Sequence, residues 1–95
     1  MPARRITIEQ IDREALADGS VEHHTATSDR GENLTVTVGH FQRSVNPDNH
    51  FTSIDVKGGP VVVGAEFRDL DGDPRAQRAI EILARAAMEL NQLMQ

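Results

Sequence analysis

From Pro74 to Met94 the chain runs without a glycine or a further proline, and Ala, Leu, Arg, Glu, Gln and Met dominate it. These are the good helix formers. Apolar residues recur at Ala76, Ile80, Leu83, Ala87, Leu90 and Met94, the steps of three and four that define one helix face. The loop Asp69-Leu70-Asp71-Gly72-Asp73 precedes the run. Asp73 can accept from the first free N–H groups, and Pro74 suits the first helical position. A helix over about 74–94 is the frame into which the rest of the chain must fit.

The apolar part of that helix is wide. At the helical repeat, the arc from Ile82 and Leu93 through Ala86, Ala79, Leu90, Leu83 and Ala87 to Ile80 covers roughly 160°, whereas packing on one sheet needs about 100°. The polar arc holds Gln77, Arg78, Glu81, Arg85, Glu89 and Gln92, with Met88 inside it. One face serves the core and a flank is left over: Ile82, Ala86 and Leu93, with Ala79 beside them. Either the N-terminal segment covers this flank or it is a subunit interface, where the small alanines would let a second helix approach closely.

Ninety-five residues make one domain spanning 1–95 with one modest core. Three Phe, no Tyr and no Trp leave few large side chains for that core, which favours additional burial between subunits. The net charge is −5, and the ten basic residues are scattered among acidic neighbours, so no nucleic-acid footprint is visible. The absence of Cys excludes disulfides, thiolate catalysis and Cys-based metal sites. No secretory segment and no membrane-spanning apolar run stands out, and the chain reads as cytoplasmic.

Ile6-Thr7-Ile8-Glu9-Gln10-Ile11 carries a capping-box pattern, with Thr7 as cap, Gln10 as its reciprocal partner and Ile6 and Ile11 at the staple positions. Ile8, Ile11, Ala15 and Leu16 fit one helical face, and Asp18-Gly19 would stop the helix. The expectation is a short helix over about 8–17; the rival is a strand over residues 4–8. From Val21 the period changes to two. Strands are expected over about 21–28, 33–43, 50–57 and 60–68, separated by Asp29-Arg30-Gly31-Glu32, by a loop around Asn46-Pro47-Asp48-Asn49, and by Gly58-Gly59. The fold expected is α+β: a short N-terminal helix, a four-stranded antiparallel meander and a long C-terminal helix packed on one sheet face.

Alternation assigns the faces. Leu34, Val36, Val38, Ile54, Val56, Val61, Val63, Ala65 and Phe67 share the core face. The other face carries Thr25, Thr27, Thr35 and Thr37 toward one end and Val21, Phe41, Phe51 and Val62 in the middle, with Arg43, Asp55, Glu66 and Arg68 around them. Two Phe and two Val rimmed by charge exceed scattered surface apolarity. Cover by the N-terminal helix or the loops is one reading. A partner-binding patch of Phe41, Phe51, Val21, Val62, Arg43 and Arg68 is the other.

Motifs for chemistry are weak. His23, His24, His40 and His50 come from three strands without an HxH or HExxH spacing, and His23 and His24 point to opposite faces. A Glu22–His40 pair on the core face near one sheet end is the one arrangement that could tune a base or supply two ligands. Asp69-Leu70-Asp71-Gly72-Asp73 departs from a calcium loop, with Gly in the fourth position and Ile80 in the twelfth. Its carboxylates suit loop solubility and the positive end of the helix. Gly58-Gly59-Pro60 precedes a strand, unlike a phosphate loop. The reading is a non-catalytic interaction protein without cofactor or metal, a homo-oligomer that binds a protein partner. By analogy of size and composition it is an accessory, inhibitory or chaperone-like factor such as phages encode. Ile82, Ala86 and Leu93 are the oligomer-interface candidates. The alternative is a binder of a small anion or nucleotide through Arg43, Arg68 and the threonines, or at a subunit interface.

Overall fold

The computed structural model describes residues 5–42 and 50–94. Five strands, β1 (Ile6–Leu16), β2 (Gly19–Ser28), β3 (Asn33–Gln42), β4 (His50–Gly58) and β5 (Val61–Arg68), form one antiparallel sheet in the order β1-β2-β3-β4-β5. One helix, α1 (Arg75–Leu93), follows and lies on one sheet face, mainly against β4 and β5. No helix among the described residues is long and apolar enough to cross a membrane.

The expected N-terminal helix is not there: residues 6–16 are an edge strand. The capping-box pattern is a local signal, and its gain is small against pairing along the whole of β2. Ile6 and Ile8 alternate inward and pack against the core, which a helix stopping short of the sheet would not allow. The helix-like spacing beyond them has a specific cause. The pairing shifts between Gln10 and Asp12, so Ile11 is an extra, bulged residue. The shift brings Arg13 and Ala15 onto the inner face, opposite Glu22 and Ser20. A step of three inside a period of two is easily read as helical.

The β1–β2 turn needs Gly19. A side chain there would run into the backbone carbonyl of His40 on β3, so only glycine fits this approach. The β4–β5 turn has Gly58 opposite Val61, which leaves Gly59 and Pro60 as the loop, with Gly59 at φ 56. Val56 therefore faces Val63 and Ile54 faces Ala65, two residues away from the pairing that a Gly58-Gly59 loop implies. An even shift leaves every side chain on its expected face.

The core lies between the inner sheet face and α1. Ala26, Leu34, Val36, Val38, Ile54, Val56 and Val61 supply the sheet side, and Ile80, Ala84, Ala87 and Met88 supply the helix side. The helix is turned about 60° from the face read from the sequence, counting 3.6 residues per turn. Met88, expected in the polar arc, is buried, and Leu90 and Met94 are exposed. Ala84 lets the helix come close to the sheet, and unbranched Met88 fills the space beside it. At the helix start Asp73 accepts the Arg75 N–H at 2.8 Å, and its carboxylate also binds the Arg75 guanidinium. These bonds hold the Asp73 carboxyl below the usual aspartate range.

Candidate functional site

Because α1 covers β4 and β5, the inner positions of β2 beyond its cover are polar: Ser20, Glu22 and His24. They meet His40 from β3, Thr52 from β4, Arg13 from β1 and Asp71 from the loop before α1. The Glu22 carboxylate is the hub. One oxygen pairs with His24 Nε2 at 3.0 Å; the other accepts from Arg13 Nη1 at 2.8 Å and pairs with His40 Nε2 at 3.1 Å. Arg13 also reaches Asp71 Oδ1 at 3.3 Å, so its guanidinium bridges the two carboxylates. The Glu22–His40 pair is diagonal, since Glu22 faces Val38 and Ser20 faces His40.

The His40 ring is held at both nitrogens. Nδ1 lies 2.9 Å from Thr52 Oγ1, which also accepts the Leu70 N–H at 2.9 Å. With His40 Nε2–H donating to Glu22, the Thr52 hydroxyl donates to Nδ1 and accepts from Leu70, so every polar atom of that chain is used. Leu70 is buried and thereby ties the loop, with Asp71, to the sheet. Ser20 differs from its neighbours. It is 6% exposed, and its hydroxyl is the one buried side-chain polar atom among the described residues without a hydrogen bond. Ser20, His40, Arg13, Asp18, Asp69 and Asp71 line an open cavity of about 540 Å³ at this end of the sheet. Its lining is acidic. Glu22, His40 and Asp71 could hold a metal ion, each offering one ligand atom within 4.8 Å of the others.

The other two histidines face different partners. His23 is on the outer face with Nδ1 2.7 Å from Asp12, and His50 Nδ1 is 3.9 Å from Asp69. The carboxylates of the acidic loop diverge rather than converge: Asp69 accepts the Asp71 N–H, Asp71 turns to Arg13, and Asp73 turns to Arg75.

The outer face has its own apolar centre. Leu16, Gly19, Phe41, Phe51 and Arg68 form one row across the five strands. The Phe41 and Phe51 rings stack with centroids 5.2 Å apart, and Phe41 folds over Gly39, opposite Val21. Val62 does not extend this patch. It sits in a row with Lys57 and Thr35, three rows along the strands, roughly 20 Å at about 3.3 Å per residue. Thr25 is in that distant row as well, so Arg68 and the threonine ladder do not converge on one ligand. Arg43 lies outside the described residues. On α1, Ile82 is 53%, Leu90 42% and Leu93 79% exposed, with Ala79 and Ala86 half-buried among them. The polar cluster was legible only as the Glu22–His40 pair. Arg13 was hidden by the bulge and Thr52 looked like an ordinary strand threonine.

No protein-family model, no curated protein and no solved structure matches the chain.

Proposed function

We propose that this chain is a small non-catalytic interaction protein that acts as a homodimer, pairing through α1 and offering its outer sheet face to a protein partner as an accessory factor. The observation that carries this reading is the stripe Ala79, Ile82, Ala86, Leu90 and Leu93. At 100° per residue the five occupy an arc of about 80° beside the core face. The stripe is symmetric in spacing about Ala86, with positions four and seven residues to either side. An antiparallel copy centred there sets Ala79 against Leu93, Ile82 against Leu90 and Ala86 against itself, so large side chains meet small ones at the ends and the backbones approach at the middle. A two-fold interface requires such self-complementarity. A dimer of this kind leaves the Phe41–Phe51 face, on the far side of each sheet from the helix, open to a further protein. The engaged ring of His40 supports the non-catalytic part of the reading: Ser20 Oγ has no hydrogen bond to it.

Light scattering after size exclusion tests the dimer. Wild type at roughly tens of micromolar, a range typical of a moderate dissociation constant, runs at twice the monomer mass. Ile82→Glu with Leu90→Glu runs as monomer with an unchanged circular-dichroism spectrum. A monomeric wild type at that concentration, or a double variant that stays dimeric, refutes the interface.

A further inference from the structure

We infer that Glu22, His40 and Asp71 form a binding site for a divalent zinc-class ion, with Arg13 as the counter-ion that the metal displaces. The donor set selects the ion. An imidazole nitrogen with two carboxylates suits zinc and its first-row neighbours better than magnesium or calcium, and the chain has no thiolate to favour softer ions. The spacing fits as well. His40 Nε2 lies 3.1 Å from Glu22 Oε2 and 3.9 Å from Asp71 Oδ1. A tetrahedral ion with arms of about 2.0–2.1 Å sets its ligand atoms about 3.4 Å apart. A small movement of the Asp71 loop closes the longer edge.

The surroundings are those of a supported site. Metal-bound histidines donate their second ring N–H to a fixed acceptor; with the ion on Nε2, His40 takes the other tautomer and Nδ1–H donates to Thr52 Oγ1, itself pinned by the Leu70 N–H. The Glu22 oxygen that does not face His40 is oriented by buried His24. Arg13 binds Glu22 Oε2 and Asp71 Oδ1, the same two oxygens that would take the metal. Its side chain is 46% exposed and can swing outward from β1 when a divalent ion takes its place. The independent observation is Ser20. Its buried hydroxyl lines the adjoining cavity, paired in register with His40, and lacks a partner. A water on the fourth position of the ion, facing that cavity, would supply one.

Zinc titrated into metal-free full-length protein by calorimetry, with cobalt as a visible-spectrum probe, tests this. One ion per chain and the intense d–d bands of four-coordinate cobalt are expected. Asp71→Asn, a change in an exposed loop, and His40→Gln each abolish both signals; circular dichroism checks that they fold. Thr52→Val weakens binding about 10- to 100-fold, the usual effect of losing a ligand's supporting bond. Arg13→Gln tightens it, because the competing cation is gone. His23→Gln, on the opposite face, leaves it unchanged. The proposal is overturned if folded wild type takes up no zinc at millimolar concentration, if uptake survives Asp71→Asn, if it depends on His23, or if Arg13→Gln weakens it.

Discussion

Phe41 on β3 and Phe51 on β4 stand directly opposite each other, with ring centroids 5.2 Å apart and ring planes inclined by 30°. They make a stacked cross-strand pair on the sheet face opposite α1. Both are half-buried, because Phe41 lies over Gly39 and each ring shields the other. The pair lowers the cost of keeping two aromatics at the surface, and what remains exposed is a flat apolar platform between Val21 and Arg68.

Aromatic pairs of this geometry contribute about 0.5–1.5 kcal/mol beyond their area. A double-mutant cycle of Phe41→Ala and Phe51→Ala, read by urea denaturation, is expected to give a coupling energy in that range. Both single variants remain folded, since the hydrophobic core lies on the other face. A coupling near zero means that the rings do not stack in solution.

On the core face, the turn of α1 reverses an expectation that the sequence raises for Leu83 and Met88. Met88→Ala removes a side chain that is 2% exposed and should cost about 2–5 kcal/mol. Leu83→Ala, at a half-buried position, should cost less than Met88→Ala in the same denaturation experiment. The opposite ranking would rotate the helix back to the face centred on Leu83.

Thr52 is the joint between the polar cluster and the loop before the helix. Thr52→Val keeps the volume and leaves the Leu70 N–H and His40 Nδ1 without their partner. An unsatisfied buried donor costs about 1–3 kcal/mol, and destabilisation of that size is expected. Amide exchange at Leu70 should quicken more than at the middle of α1. Equal quickening at both would mean that the loop and the helix open together.

Asp73 gives a pH signature. Its bonds to Arg75 lower the folded-state pKa below the ordinary 3.8. A lowered carboxylate contributes stability in full above its unfolded-state pKa, and the contribution fades as pH falls through the folded value. An NMR titration should place Asp73 below 3.8, and Arg75→Ala should return it toward that value. An Asp73 that titrates at the ordinary position in wild type would show that the Asp73–Arg75 bond is not held in solution.

The strands after Val21, the long helix and the division of β2 to β5 into a core face and an outer face were readable from residue order, because period-two and period-3.6 patterns survive small errors of register. The Gly58 turn shows this: the pairing moved by two residues and no side chain changed sides. What residue order misjudged was decided by partners distant in sequence. The segment from Ile6 to Leu16 has the local marks of a helix and becomes a strand because the edge of β2 offers it a continuous hydrogen-bonding partner. Its bulge at Ile11 then delivers Arg13 to Glu22. The rotation of α1 was settled by which side chains could fill the space over β4 and β5, a question of volume that a hydrophobic arc does not answer. The Glu22–His40–Asp71–Arg13 cluster draws on β1, β2, β3 and the loop before α1, so no spacing along the chain announces it. Pattern determines which face a residue occupies; only packing and pairing decide which residues meet there.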